Sequence, residues 1–299
     1  MKYAPSTLII IIAANVGVLG QAAPAQDVER EKQRAREQAY NESVERLRNV
    51  GKTTMPIDPN ARLGIYTTKI RPLYRKPSLL EMKMLEPDSR LRMAFEEELS
   101  NNNSGVVKMV ADEGCEAKFF VTVATPHCEK YSMPGAGSAY SFRKASHWLR
   151  HLSDLNFDGK KLIAAPGDFI NGILVNVGDV PLDRITGTPE YATVAGFEPV
   201  SDSKKAAAFS ALLKKGIRDG RILYASALPV MNNTTFLMRS IAYRSEFYRT
   251  VEGVEYDEMG FDTRKDVIVA FRVIGYEPDQ SVTIAWKEIF RRDSPRIKR

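Results

Sequence analysis

Hydrophobic and polar positions divide this chain into stretches of different texture. Leu8 to Gly20 is a dense apolar run, with Ile9, Ile10, Ile11 and Ile12 in succession. Asp27 to Asn49 is the opposite: Glu, Arg, Gln and Ala dominate, Gly and Pro are absent, and the composition favours helix. Apolar residues recur there only as a thin stripe at helical spacing, Tyr40, Val44 and Leu47. The pattern predicts a polar helical arm ending at Gly51. It lacks the three heptads of apolar a and d positions that a coiled coil needs. Lys52 to Asn60 follows as a linker, because Pro56 and Pro59 block regular structure.

Beyond the linker, Arg62 to Arg71 alternates through Leu63, Ile65 and Thr67, which predicts a strand. Ser78 to Leu99 predicts a helix: Ser78 can cap it, Glu81 completes a capping box, and Pro87 divides it in two. Asn101 to Gly105 is a turn by composition. Short segments rich in β-branched and aromatic residues then predominate: Val106 to Val110, Lys118 to Val123, Tyr140 to Arg143, Ile173 to Val177, Arg221 to Ala225 and Thr234 to Tyr243. Asp158-Gly159 can reverse the chain into Leu162 and Ile163 as a hairpin. A clearer hairpin joins Asp266 to Tyr276 with Ser281 to Phe290. Ser203 to Lys215 predicts a helix with Ala206, Phe209, Leu212 and Leu213 on one face and Gly216 at its end. Residues 141–156 fit helix and strand alike.

Strands neighbour strands and no repeat emerges. The expected fold class is therefore α+β, a mainly antiparallel sheet with a few helices, preceded by the polar N-terminal helix. The expected organisation is a signal peptide over residues 1–25, a charged helical arm and linker over 26–55, and the α+β domain over 56–299.

The flanks of the first apolar run give it a meaning. Lys2 precedes it and two small-x-small sites follow, Gly20-Gln21-Ala22 and Ala23-Pro24-Ala25, which is the order of a cleavable secretory leader. The run falls short of the roughly 20 residues that a membrane-spanning helix needs. With no cysteine near the cleavage region, no lipoprotein anchor is expected, and no paired arginine precedes the run. The expected location is periplasmic or extracellular. Cys115 and Cys128 have no third cysteine to compete with, and in an oxidising compartment they are expected to form a disulfide. A metal site using His127 and Cys128 lacks the Cys-x-x-Cys spacing.

The 299 residues, 43% of them hydrophobic, suffice for a substantial core, and the charge is mildly basic, 43 Lys and Arg against 37 Asp and Glu. Basic side chains gather between Arg62 and Arg92 and from Arg291 to Arg299, without the interleaved aromatics of a nucleic-acid module. No nucleic-acid partner is expected. The excess suits an envelope component or an acidic polymer, with membrane contact only through a leader that stays uncleaved.

Candidate chemistry is sparse, and no cofactor is implied. Gly51-Lys52-Thr53-Thr54 imitates the end of a phosphate-binding loop, but Arg46 stands where the earlier glycine belongs. Pro134-Gly135-Ala136-Gly137-Ser138 matches neither a nucleophile elbow nor a dinucleotide fingerprint, whose third glycine is replaced by Tyr140. A bound ligand is expected first at a mobile loop of Gly135, Gly137 and Ser138 beside Tyr140 and Arg143, extended by His147 and His151. Those two histidines share a face in helix and in strand. Trp148 occupies the position where a zincin motif needs Glu, so packing or surface roles are expected for them instead. The residues point to an exported non-catalytic binding or envelope-associated protein. The alternative is an exported hydrolase with dispersed Ser, His and Asp residues. What separates the two is whether His127, His147, His151, Asp154 and Ser138 converge in one cleft.

Overall fold

The fold is a computed structural model that describes residues 58–96, 99, 103–115, 125–167 and 169–297. The leader and helical arm expected over residues 1–25 and 26–55, and the strand expected over 118–123, lie outside the described residues. The antiparallel α+β architecture is present. Its longest pairing is the C-terminal hairpin, β13 (Lys265–Glu277) with β14 (Ser281–Asp293), which closes at Glu277↔Ser281. Asp279 turns that hairpin with a φ of 59°, a left-handed conformation that Asp tolerates.

On the far side of β14 lies β1 (Ser104–Val110). On the far side of β13 come β10 (Thr235–Ala242), β6 (Ile170–Gly178), β8 (Ile222–Ala225) and β7 (Ile217–Asp219). The seven-stranded sheet thus runs β1-β14-β13-β10-β6-β8-β7, with every pair antiparallel. A second sheet of five short strands runs β3 (Ser146–His147), β2 (Ala139–Ser141), β4 (Leu155–Phe157), β5 (Lys161–Ala164) and β9 (Ala227–Pro229). Residues 141–156 are therefore short strands and one 3-10 turn, Arg150–Leu152. A separate ribbon pairs β11 (Tyr248–Val251) with β12 (Val254–Asp257).

Alternation at period two sorts the side chains of the large sheet. Phe236, Met238, Val269, Phe271, Ile284 and Trp286 share one core with Tyr140, Leu155, Phe157 and Leu162 of the small sheet. Leu237, Ile268, Ala270, Ala285 and Val175 belong to another core, with Leu182, Ile185, Val194 and Leu213 from helical segments. The layers are small sheet, large sheet, helices. Covered on both faces, β10 is buried at every position, which is why apolar residues occupy both of its faces while Thr235, Arg239 and Ser240 are bonded within the protein.

The helices are α1 (Pro59–Ile65), α2 (Leu79–Met84), α3 (Ser89–Ala94), α4 (Pro126–Lys130), α5 (Pro189–Gly196) and α6 (Ser203–Lys215). Ser78 and Glu81 form the expected capping box, and Pro87 separates α2 from α3. Asp202 caps α6, and Gly216 closes it with a φ of 85°. The strand expected over residues 62–71 is instead α1 running into a π-turn, Tyr66–Ile70. Asp58 caps that helix and Pro59 opens it, while Ile70 and Tyr74, four apart, are the side chains that become buried. Three alternating residues were too short a run to outweigh those signals. Cys115 and Cys128 are disulfide-bonded, with Cα atoms 5.3 Å apart. Among the described residues no helix is long and apolar enough to cross a membrane.

Candidate functional site

The glycine-rich turn expected to form a mobile ligand loop is packed inside the domain. Pro134, Gly135, Ala136 and Gly137 are all buried. At Gly135, where φ is 76°, an added Cβ would come within 2.1 Å of the Trp148 carbonyl oxygen. The Ser138 hydroxyl lies 3.0 Å from the Gly135 carbonyl and 3.1 Å from the side-chain oxygen of Asn156. Tyr140 meets Phe142 and Trp286 edge-on. His147 is buried with Nδ1 3.1 Å from the Ala139 carbonyl, and burial pushes its imidazole down to about 4, so the neutral ring is the native form. The glycines serve close packing against Trp148 and Leu85, a purpose that short-range sequence does not disclose.

Arg143 anchors a buried charge network. Its Nε donates to Asp154 at 2.7 Å, Nη1 to Asp262 at 2.7 Å, and Nη2 to the Leu152 carbonyl at 2.6 Å. Asp154 also accepts from the Ser141 and Ser240 hydroxyls at 3.1 and 2.5 Å. Burial opposes the Arg143 charge, but Asp154 and Asp262 outweigh it and hold the guanidinium above its ordinary value. Asp262 also pairs with Arg264 at 2.8 Å. Every named donor of this arginine is engaged within the protein.

A second buried pair lies on the helical side of the sheet. Arg239 makes two bonds to Asp266, at 2.8 and 2.7 Å, and donates to the carbonyls of Val194, Ala195 and Phe197 at the end of α5. Arg292 adds a third bond to Asp266 at 2.7 Å. Sequence reading passed over this pair. An arginine inside the apolar run of β10 was the available signal, since a buried guanidinium demands a carboxylate.

His151 parts company with His147. Its side chain is 34% exposed, and Nε2 lies 2.9 Å from buried Glu258. Glu258 also accepts from the Tyr74 hydroxyl at 2.6 Å and from Arg249 Nε at 2.5 Å. Burial works to raise this carboxyl, but the bonds from His151 and Tyr74 and the Arg249 contact hold it below its ordinary value. The Tyr74 ring stacks on Phe261 at 4.2 Å. His127 stands elsewhere, 3.4 Å from Glu113. No hydrogen bond joins any two of His127, His147, His151, Asp154 and Ser138 among the described residues.

A cavity of ≈ 460 Å³ lies between α6 and the chain from β5 to β6. Ala165, Phe169, Ala207 and Ala211 supply apolar wall, Ser210 a hydroxyl, and exposed Lys214 an ammonium group. Gly172 lets β6 pass close to β5, since a Cβ there would meet the Ala164 backbone at 2.6 Å. Among the described residues no cluster of His, Cys, Asp and Glu is arranged to hold a metal ion. No protein-family model, curated protein or solved structure matches the chain.

Proposed function

We propose that this chain is an exported, non-catalytic binding protein of the cell envelope that takes a small, mainly apolar ligand into the cavity beside α6. The observation that carries the reading is a contrast. Ser138, Asp154 and His147 are committed to internal bonds, whereas the ≈ 460 Å³ cavity has mainly apolar walls with a few polar groups. That is the usual make-up of a ligand pocket. Lys214 suits a ligand with one anionic end. The fluorescent anion 1-anilinonaphthalene-8-sulfonate is a suitable probe, with Ala207→Trp to fill the cavity. Equilibrium titration should show one class of bound probe fewer in the variant, and the same number of bound probes in both proteins would defeat the assignment. Export has a separate test: intact mass of the exported protein should give a start at Ala23 or Gln26. Full-length chain recovered from the membrane fraction would refute cleavage.

The second reading rests on His151. A carboxylate that orients a partly exposed imidazole is one half of a nucleophile-activating arrangement, and Glu258 holds His151 in that way. No serine, threonine or cysteine among the described residues bonds to that ring. Hydrolysis of a chromogenic ester, abolished by His151→Ala with an unchanged thermal transition, would favour this reading over the first.

A further inference from the structure

Surface helices normally turn their apolar stripe inward and their charges outward. α2 does the reverse. Glu81 is half-buried and the following Leu85 is buried, while Leu79 and Leu80 are 81% and 77% exposed. Met82 and Met84 are exposed beside Lys83, and α3 adds exposed Met93 next to Arg92. The orientation is held by the capping box and by Arg75, which grips the Glu81 carboxylate with two bonds of 2.6 Å. Several large apolar side chains exposed on neighbouring short helices of a folded domain mark an interaction surface.

Charge identifies what it meets. From Arg62 to Arg92 there are eight basic residues and three acidic ones, Glu81, Glu86 and Asp88. Glu81 and Glu86 are already paired with Arg75 and Arg92, and Lys69 with Glu252, which leaves Arg62, Arg71, Lys76, Lys83 and Arg90 without an ion-pair partner among the described residues. A second copy would bring this positive face against itself, an arrangement that like-charge repulsion disfavours. Residues 27–49 carry six acidic and six basic side chains with a thin apolar stripe, so they complement neither the charge nor the apolar face. An anionic bilayer complements both. Its phosphates meet the cations, and its outer acyl region receives Leu and Met while the lysine and arginine stems reach up to the headgroups. α2 also borders a groove of ≈ 460 Å³ lined by Leu79, Met82, Val106 and Tyr140, with Lys83 and Arg92 among its walls.

We propose that Leu79, Leu80, Met82, Met84 and Met93, with Lys76, Lys83 and Arg90, dock this domain onto an anionic lipid bilayer. The proposal rests on the envelope reading for the place where the protein encounters such a surface. It adds a membrane contact separate from the leader.

The test uses the full chain carrying Leu80→Trp, an exposed position, mixed with vesicles of phosphatidylglycerol or of phosphatidylcholine. Native Trp148 and Trp286 are 1% and 2% exposed and give a constant background. Phosphatidylglycerol vesicles should shift the new emission to the blue, and brominated acyl chains should quench it. Partitioning should be at least ten-fold weaker on phosphatidylcholine, and ten-fold weaker again when Lys83→Glu and Arg90→Glu are added, with the thermal transition unchanged. A leader that holds the chain on vesicles leaves the introduced indole unquenched, and that result overturns the proposal. Equal partitioning to both lipids overturns it too. Emission already blue-shifted without lipid, or a dimer that dissociates in Leu79→Glu, would assign the face to the chain's own N-terminal residues or to a second copy. None of these outcomes bears on the N-terminal mass that tests export.

Discussion

Replacing His147 isolates a pH-dependent component of stability whose size follows from the structure. The imidazole is buried among Tyr140 and the Ala139 backbone, and burial lowers its pKa from 6.5 to about 4. Below pH 6.5 the unfolded chain takes up a proton that the folded protein refuses, so folding stability declines as pH falls from about 6.5 to about 4 and levels off below. Each pKa unit corresponds to about 1.4 kcal/mol, so the whole window amounts to about 3 kcal/mol. His147→Gln keeps an N–H to donate to the Ala139 carbonyl and carries no charge at any pH. Urea unfolding of both proteins at intervals from pH 7.5 to 4 gives the difference in stability directly, because carboxylates common to both cancel. At pH 7.5 the variant should be the less stable one through imperfect packing, and the gap should close or invert by about 3 kcal/mol toward pH 4. A gap that stays constant across this range would refute the burial argument. So would a proton resonance of His147 titrating near 6.5.

Replacing both cysteines with serine should lower stability by about 3 kcal/mol for a loop of this size, given a separation of 13 residues. The denaturant slope should be little changed, and thiol titration of denatured, unreduced protein should find none; two reactive thiols would refute the bridge. Asp154→Ala leaves Arg143 with one of its two buried carboxylates and should cost about 3–5 kcal/mol; a loss below about 1 kcal/mol would mean that Asp262 alone satisfies the guanidinium. Gly135→Ala forces a positive φ on a residue with a Cβ and sets that Cβ against the Trp148 carbonyl. The positive φ alone should cost about 1 kcal/mol or more, with the clash in addition, and an unchanged melting temperature would show that the turn can relax.

Short-range features were legible where the chemistry is local. The Ser78 and Glu81 capping box, the break at Pro87, the extent of α6 and its closing Gly216, and the C-terminal hairpin all depend on residues within a few positions of one another. The disulfide was legible because two cysteines allow one pairing. Residues 62–71 misled because their alternation was brief and the Asp58 cap and Pro59 start carried more structural information. The Gly135 turn misled in a different way. Its composition is that of an exposed loop, and only the approach of the Trp148 backbone shows why side chains are excluded.

By itself, then, the sequence determined the fold class, the capped helices, the C-terminal hairpin and the single covalent cross-link, since caps, turns and sustained period-two alternation act through neighbouring residues. Tertiary structure alone decided that the large sheet is covered on both faces, and which polar groups meet. Asp154 bonds Ser240 across 86 residues, His151 meets Glu258 across 107, and Arg143 reaches Asp262 across 119. Such partners are chosen by where two sheets and a helical layer bring buried charges together. A charge removed from water takes the partner that packing places beside it, and nothing in its sequence neighbourhood names that partner.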